Sequence, residues 1–292
     1  MMISAGLIKE LREMSGAGML DCKSALEKTN GNIEEAMDWL REKGFATATK
    51  KSSRIAAEGL AKIFIKDNKA VVVEVNAETD FVSKNEEFVE MIDTIGGVIL
   101  DSKANSVEDA LELSYEEGTI NDLIVAKTAK IGEKLSLRRI SVLEKETDQH
   151  FGEYLHNGGK IAVLTLVEGG NEEVAKDVAM QSAAMKPQYV LIEDVPEEVV
   201  AREREVLKEQ SMNEGKSEEI ATKMVEGRIK KFFKEIVLVE QAFIKDGDID
   251  VKTYLNNNNA KLLQMIRFEV GEGMEKRSDD FASEVMSQIK GE

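Results

Sequence analysis

Residues 70–85 read AVVVEVNAETDFVSKN, an apolar run that leads directly into a helix start. The β-branched run Ala70–Val75 predicts a buried strand, and Thr79 or Asp80 can cap the helix that follows. Phe81, beside these caps, has two interpretations. It is either a core side chain, which composition alone favours, or a bulky apolar wedge that a stiff strand-to-helix corner presents to a partner.

The chain on either side of this corner predicts a first α+β cycle. Leu60–Ile65 has the pattern of a partner strand, and Asp67-Asn68 supplies a hairpin turn between the two strands. Apolar spacing then predicts three helices and a closing strand, near residues 86–100, 106–114, 119–130 and Leu135–Leu143.

A similar cycle follows, which begins at Phe151. Its predicted parts are a turn at Asn157-Gly158-Gly159, a strand Ile161–Val167, a helix at about 172–185 and a closing strand near Leu262–Val270. The closing strands also share a short motif, with Arg139-x-x-Val142-x-Glu144 in the first and Arg267-x-x-Val270-x-Glu272 in the second. The sequence therefore predicts an α+β fold with two related subdomains.

Residues 196–236 interrupt the second cycle with a predicted helical hairpin. Pro196 suits a helix start, Asn213-Glu214-Gly215 makes a turn, and Ser217 can cap a second helix. Two interpretations stay open: a hairpin packed on its own domain, which periodicity slightly favours, or an arm that meets another molecule.

The first 44 residues predict a compact module of three short helices. Ser4 and Asn32 can cap the first and third helices, and Asn30-Gly31 can end the second. The inward positions are expected to be apolar; they are Leu7, Leu11, Met14, Cys22, Ala25, Leu26, Ile33, Ala36, Met37 and Leu40. The third helix is expected to end at Gly44, with residues 46–54 as a tether.

Charge and cysteine content narrow the class of partner. Across 292 residues, 56 Asp and Glu outnumber 39 Lys and Arg, and the formal net charge is -17. Such a surface repels phosphate, so we expect neither nucleic acid nor an anionic membrane as a partner. Cys22 is the only cysteine, and we see no leader or membrane span, so we expect a reducing, cytoplasmic location.

A search for catalytic motifs gives little. The chain has only two histidines, and Gly158-Gly159-Lys160 lacks both the first glycine and the hydroxyl residue of a phosphate loop. Gly271-Glu272-Gly273 lacks the glycine pattern of a dinucleotide fold. We therefore expect no cofactor, no bound metal and no bond-breaking chemistry, although an enzyme without a sequence motif remains an alternative.

Three motifs in register resemble the bacterial elongation factor Ts family. They are Ile8-Lys9-Glu10-Leu11-Arg12 with Gly16-Ala17-Gly18-Met19 and Asp21-Cys22-Lys23-Ser24-Ala25-Leu26, then Glu74-Val75-Asn76-x-Glu78-Thr79-Asp80-Phe81-Val82, and lastly Arg267-Phe268-Glu269-Val270-Gly271-Glu272-Gly273. The resemblance implies a module similar to ubiquitin-associated (UBA) domains, two core subdomains, a coiled-coil-like arm and a carboxy-terminal helix. The expected bounds are 1–45 for the module, 46–54 for the linker, 55–144 and 145–277 for the core, 196–236 for the arm and 278–292 for the last helix.

The resemblance also implies a function and a set of partner-binding residues. It implies a guanine-nucleotide exchange factor that binds elongation factor Tu, displaces its Mg²⁺ and releases GDP. Thr79, Asp80, Phe81 and Val82 would enter the GTPase beside that ion. Further contacts are implied for Arg12, Met19 and Leu20 on the first module, and for Tyr154, His156 and Gly158 at the second hairpin. A passive chaperone or scaffold for a GTPase is the main alternative, and self-association through the arm stays open.

Overall fold

A computed structural model describes residues 3–15, 17–116 and 118–275. The predicted carboxy-terminal helix at 278–292 lies outside the described residues. The chain divides into two compact units. The first takes the chain up to residue 64, residues 73–141 and the segment from 269, and the second takes residues 65–72 and 142–268.

The first unit begins with the predicted three-helix module. Its helices are α1 (Ala5–Ser15), α2 (Met19–Lys28) and α3 (Ile33–Lys51). Asn32 caps α3 by accepting from the backbone N–H of Glu35, and Asn30 and Gly31 end the second helix with positive φ angles of 52° and 85°. The core of the module is formed by Leu11, Cys22, Ala25, Leu26 and Ala36, all fully buried.

The end predicted for α3 was wrong. The helix continues through Gly44 to Lys51 and takes up most of the expected tether. Gly44 is buried, and a Cβ there would lie 3.7 Å from Val125 Cγ1 and 3.9 Å from Ala129 Cβ. Gly44 therefore lies where another helix packs against α3, in a space that would also hold a Cβ, and the helix continues through it.

The elements that come after the module in the chain follow the first predicted cycle. They are β1 (Glu58–Lys66), β2 (Lys69–Ala77), α4 (Asp80–Ser83), α5 (Glu86–Leu100), α6 (Val107–Leu111), β3 (Ser114–Tyr115), β4 (Gly118–Thr119), α7 (Ile120–Ile131) and β5 (Ser136–Glu144). Strands β1, β2 and β5 form one sheet in the order β1-β2-β5. The helix expected at 106–114 is shorter, because the chain after it enters the antiparallel pair β3–β4.

The second unit repeats the hairpin, helix and closing strand, as predicted. Its elements are β6 (Gln149–His156), β7 (Ile161–Gly169), α8 (Glu172–Met185), α9 (Glu197–Asn213), α10 (Glu218–Ile236), β8 (Ala242–Phe243), β9 (Asp246–Asp250), α11 (Val251–Asn257) and β10 (Ala260–Glu269). The sheet order is β10-β7-β6. Gly152 lets α8 lie close on β6, since a Cβ there would fall 2.1 Å from the carbonyl oxygen of Ala175.

Helices α9 and α10 form the predicted hairpin, which we call the arm. Ser217 caps α10 through the backbone N–H of Ile220, as the sequence predicted. Ion pairs join the two helices: Lys208 to Glu218 at 2.6 Å, and Arg204 to Glu226. Within the described ranges, we find no helix whose length and apolarity would let it cross a membrane.

Candidate functional site

The corner between β2 and α5 exposes a large aromatic ring. Thr79 caps α4, accepting from the backbone N–H of Val82 at 3.4 Å, so one of the two predicted caps is confirmed. Phe81 is 82% exposed, whereas Val82 is only 9% exposed. Phe81 is therefore not a core side chain, and Val82 is the apolar residue that anchors the turn.

Short-range contacts hold the rest of this turn. The hydroxyl of Ser83 donates to the backbone carbonyl of Asp80 at 2.7 Å, and Lys84 Nζ lies 2.9 Å from Asp80 Oδ2. Asn85 caps α5 through the backbone N–H of Glu87 at 2.8 Å. A half-exposed carboxylate thus stands one residue before the exposed Phe81 ring.

A second turn supports the corner from behind. Helix α7 ends at Gly132, which has a left-handed φ of 85°. The next residue, Glu133, accepts from the Thr79 backbone N–H at 3.0 Å and from its hydroxyl at 2.7 Å. Lys134 donates its backbone N–H to Glu78 at 2.7 Å. Sequence analysis missed Glu133 and Lys134, because the only local signal there is the glycine that ends a helix.

Among the residues expected on the three-helix module, two are strongly exposed. Met19 and Leu20 open α2 with 61% and 79% of their surface exposed. Arg12 is also exposed, near the end of α1. Met14 was expected on the inward face but is 58% exposed, because only Leu11 of that part of α1 reaches the core. Met14 is thus a further exposed apolar residue of this module.

The three residues expected in the second unit lie at the end of the β6–β7 hairpin. Tyr154 is half-buried and packs on the cluster of Val163, Ala179 and Ala183. The ring of Tyr154 stacks with that of His156, which is exposed, with centroids 6.1 Å apart. Gly158 follows in the turn with a φ of 64°.

Among the described side chains, no group of three or more His, Cys, Asp or Glu residues is placed to hold a metal ion. The structure brings Thr79, Asp80, Phe81 and Val82 together in one turn of the first unit. It brings Tyr154, His156 and Gly158 together at one hairpin end of the second unit. Each of the two sites is therefore a short turn at the protein surface.

Comparison with known families agrees with this architecture. A domain model described as UBA/TS-N matches residues 7–40, and a model described as elongation factor TS matches residues 78–272. The α+β core, the UBA-like module and these two matches define a factor of translation elongation. The chain belongs to the elongation factor Ts family, whose members are nucleotide exchange factors for elongation factor Tu.

Proposed function

We propose that this chain speeds the release of GDP from elongation factor Tu by inserting Phe81 beside the magnesium and phosphate site of that GTPase. The observation that carries the proposal is the exposure of the Phe81 ring, 82%, on a turn held by hydrogen bonds. Exposed aromatic rings on preorganised backbone are typical of residues that dominate protein interfaces, because little ordering is needed when they bind.

The insertion acts on the geometry of the partner. Magnesium requires near-octahedral oxygen ligands and joins the nucleotide phosphates to the GTPase. A ring forced between side chains of that site moves the ligands apart, and Asp80 brings negative charge near the phosphates. Both effects weaken GDP binding. By linkage, the chain then binds the nucleotide-free GTPase more tightly than the GDP-bound form.

Two other surfaces complete the proposed interface. Arg12, Met19 and Leu20 bind the GTPase domain, and the exposed apolar surface of the two latter residues supports this. The hairpin end with Tyr154, His156 and Gly158 binds another domain of the partner. Self-association through the arm and a cytoplasmic location stay predictions.

The test is a stopped-flow measurement of fluorescent GDP leaving elongation factor Tu. Substoichiometric amounts of the chain should speed the release, which a passive chaperone does not do. Phe81→Ala should lower the acceleration at least about 30-fold, since loss of a central aromatic anchor costs about 2 kcal/mol or more. The matched control is Phe45→Ala, which removes a 37% exposed ring from α3 and should retain full activity. Full acceleration by Phe81→Ala would overturn the proposal.

A further inference from the structure

The turn after α7 is tied to two other segments of the first unit. Lys134 Nζ donates to the backbone carbonyls of Ser52 at 2.6 Å and Arg54 at 3.0 Å, and Lys51 Nζ donates to the carbonyl of Gly132. Arg54 also donates to Glu78 Oε1 at 3.1 Å. The chain that leaves the three-helix module is thus fastened to the same turn that supports the corner.

The corner and this turn exchange hydrogen bonds in both directions. Glu78 accepts from the backbone of Lys134, and Thr79 donates to the side chain of Glu133. The side chain of Glu78 is only 10% exposed, and that of Glu133 is half-buried. Charged acceptors in such partly dry positions form the stronger class of hydrogen bond. Together they fix the two residues that precede α4.

The contacts of Thr79 are more than a helix cap requires. Its hydroxyl accepts from Val82 N–H at 3.4 Å and donates to Glu133 Oε1 at 2.7 Å, while its backbone N–H donates to Oε2. A hydroxyl has one proton, so this pair of bonds sets the rotation of the Thr79 side chain. Helix α4 has only four residues and cannot hold its own geometry. Beside the buried Val82, the bonds from Thr79 to Glu133 are therefore what sets the orientation of α4 and of Phe81 within it.

We propose that Glu133 is a positioning residue for nucleotide exchange. It never needs to touch the partner, because it acts through Thr79 to keep the Phe81 ring in the direction of insertion. The inference rests on the proposed function of Phe81. Without Glu133 the Phe81 ring stays exposed but is no longer held in one direction. The ring must then be ordered as it inserts, and this cost in conformational entropy raises the barrier to GDP release.

The first test measures GDP release at increasing concentrations of the chain. It gives two separate quantities, the maximal release rate and the concentration of chain at half of that rate. Glu133→Gln keeps the size of the side chain but loses one of the two acceptor oxygens. We expect the maximal rate to fall about tenfold, as for loss of a hydrogen bond to a charged group. The half-saturating concentration should change less than about threefold, since the other two surfaces still bind. The matched control is Asp93→Asn, which breaks an ion pair between Lys62 and the middle of α5 and should leave the maximal rate unchanged.

A second set of variants addresses the hydroxyl of Thr79. Thr79→Val keeps the shape of the side chain without the hydroxyl and should also lose about tenfold in maximal rate. Thr79→Ser keeps both hydrogen bonds to Glu133 and should restore most of that rate. In a double-mutant cycle, Glu133→Gln with Thr79→Val should lose much less than the product of the two single losses, because both variants weaken the hydrogen bond between the Thr79 hydroxyl and Glu133.

The outcomes separate this inference from the proposed function. A full maximal rate for Thr79→Val or Glu133→Gln, while Phe81→Ala is inactive, overturns the positioning role alone. A fall in rate that only follows the folded fraction, measured by urea unfolding of each variant, overturns it as well. Full activity of Phe81→Ala overturns the proposed function instead.

Discussion

Glu74 and Gly271 lie 197 residues apart in the chain, yet the backbone N–H of Gly271 donates to Glu74 Oε1 at 3.0 Å. Glu74 is fully buried. Arg138 Nη1 lies 2.9 Å from its Oε1, and Arg139 Nε lies 2.5 Å from its Oε2. Arg139 also donates to the backbone carbonyl of Glu269 at 3.0 Å. Two motifs that resemble the family, 74–82 and 267–273, therefore meet at one buried carboxylate in the first unit.

Replacement of Glu74 should weaken the first unit strongly. Glu74→Gln leaves two arginines without their carboxylate, and breaking a buried pair typically costs about 3–5 kcal/mol. Because the Arg138 and Arg139 side chains are 24% and 28% exposed, we expect the lower end, about 3 kcal/mol. Urea unfolding measures the change. Glu226→Gln in the exposed pair with Arg204 is the control and should lose at most about 1 kcal/mol.

The sequence predicted features that depend on neighbouring residues. The hairpins, the caps at Asn32 and Ser217 and the order hairpin, helix and closing strand in both α+β cycles follow from local patterns, and these were confirmed. What depends on distant parts of the chain was not predictable. Gly44 looks like a helix end unless the helix packed against it is known. The exposure of Phe81 can be predicted only from the structure of the whole corner, since an apolar pattern alone favours a core position. Glu133, which binds Thr79, lies 54 residues away from it in the chain, so no local pattern connects the two residues.

Two glycines of the last motif should differ in their tolerance of alanine. Gly271 and Gly273 both have a φ of 74°, which costs a side chain about 1–2 kcal/mol. A Cβ on Gly271 would also lie 2.2 Å from the carbonyl oxygen of Ala57, whereas one on Gly273 meets nothing within 4 Å. Gly271→Ala should therefore lose about 1–3 kcal/mol more than Gly273→Ala in urea unfolding. Equal losses of unfolding free energy in the two variants would contradict the prediction, because they would mean that the contact with Ala57 does not destabilise Gly271→Ala.

Adjacent glycines in α5 should respond in opposite directions. A Cβ on Gly96 would lie 2.0 Å from Cε2 of Phe64, so Gly96→Ala should destabilise the chain by about 1–3 kcal/mol. A Cβ on Gly97 meets nothing within 4 Å. Gly97→Ala should stabilise the chain by about 0.5–1 kcal/mol, because alanine loses less backbone freedom in a helix. Thermal unfolding of the two variants checks both signs, and a destabilised Gly97→Ala would contradict this reasoning.

The ion pairs of Glu87 should make stability depend on pH. Lys130 Nζ lies 2.8 Å from its Oε1 and Lys127 Nζ 3.3 Å from its Oε2. The hydrogen bond from Lys130, with that from Lys127, holds the pKa of Glu87 below its ordinary value of 4.5. A lowered pKa in the folded state means that the unfolded chain binds the proton more readily. The resulting stability is therefore present above pH 4.5 and is lost as the pH falls through the folded-state pKa.

Glu87→Gln removes this contribution, so the variant should be less stable than the parent at pH 7 and approach it as the pH falls below 4.5. The side chain of Glu87 is 37% exposed, which limits the difference at pH 7 to about 1 kcal/mol. Glu86→Gln is the matched control, since Glu86 is an exposed neighbour in the same helical turn and forms no ion pair within the described chain. Urea unfolding across this pH range should show a convergence for Glu87→Gln that Glu86→Gln lacks. A difference that stays constant with pH would mean that packing, and not the two lysines, accounts for the effect of Glu87.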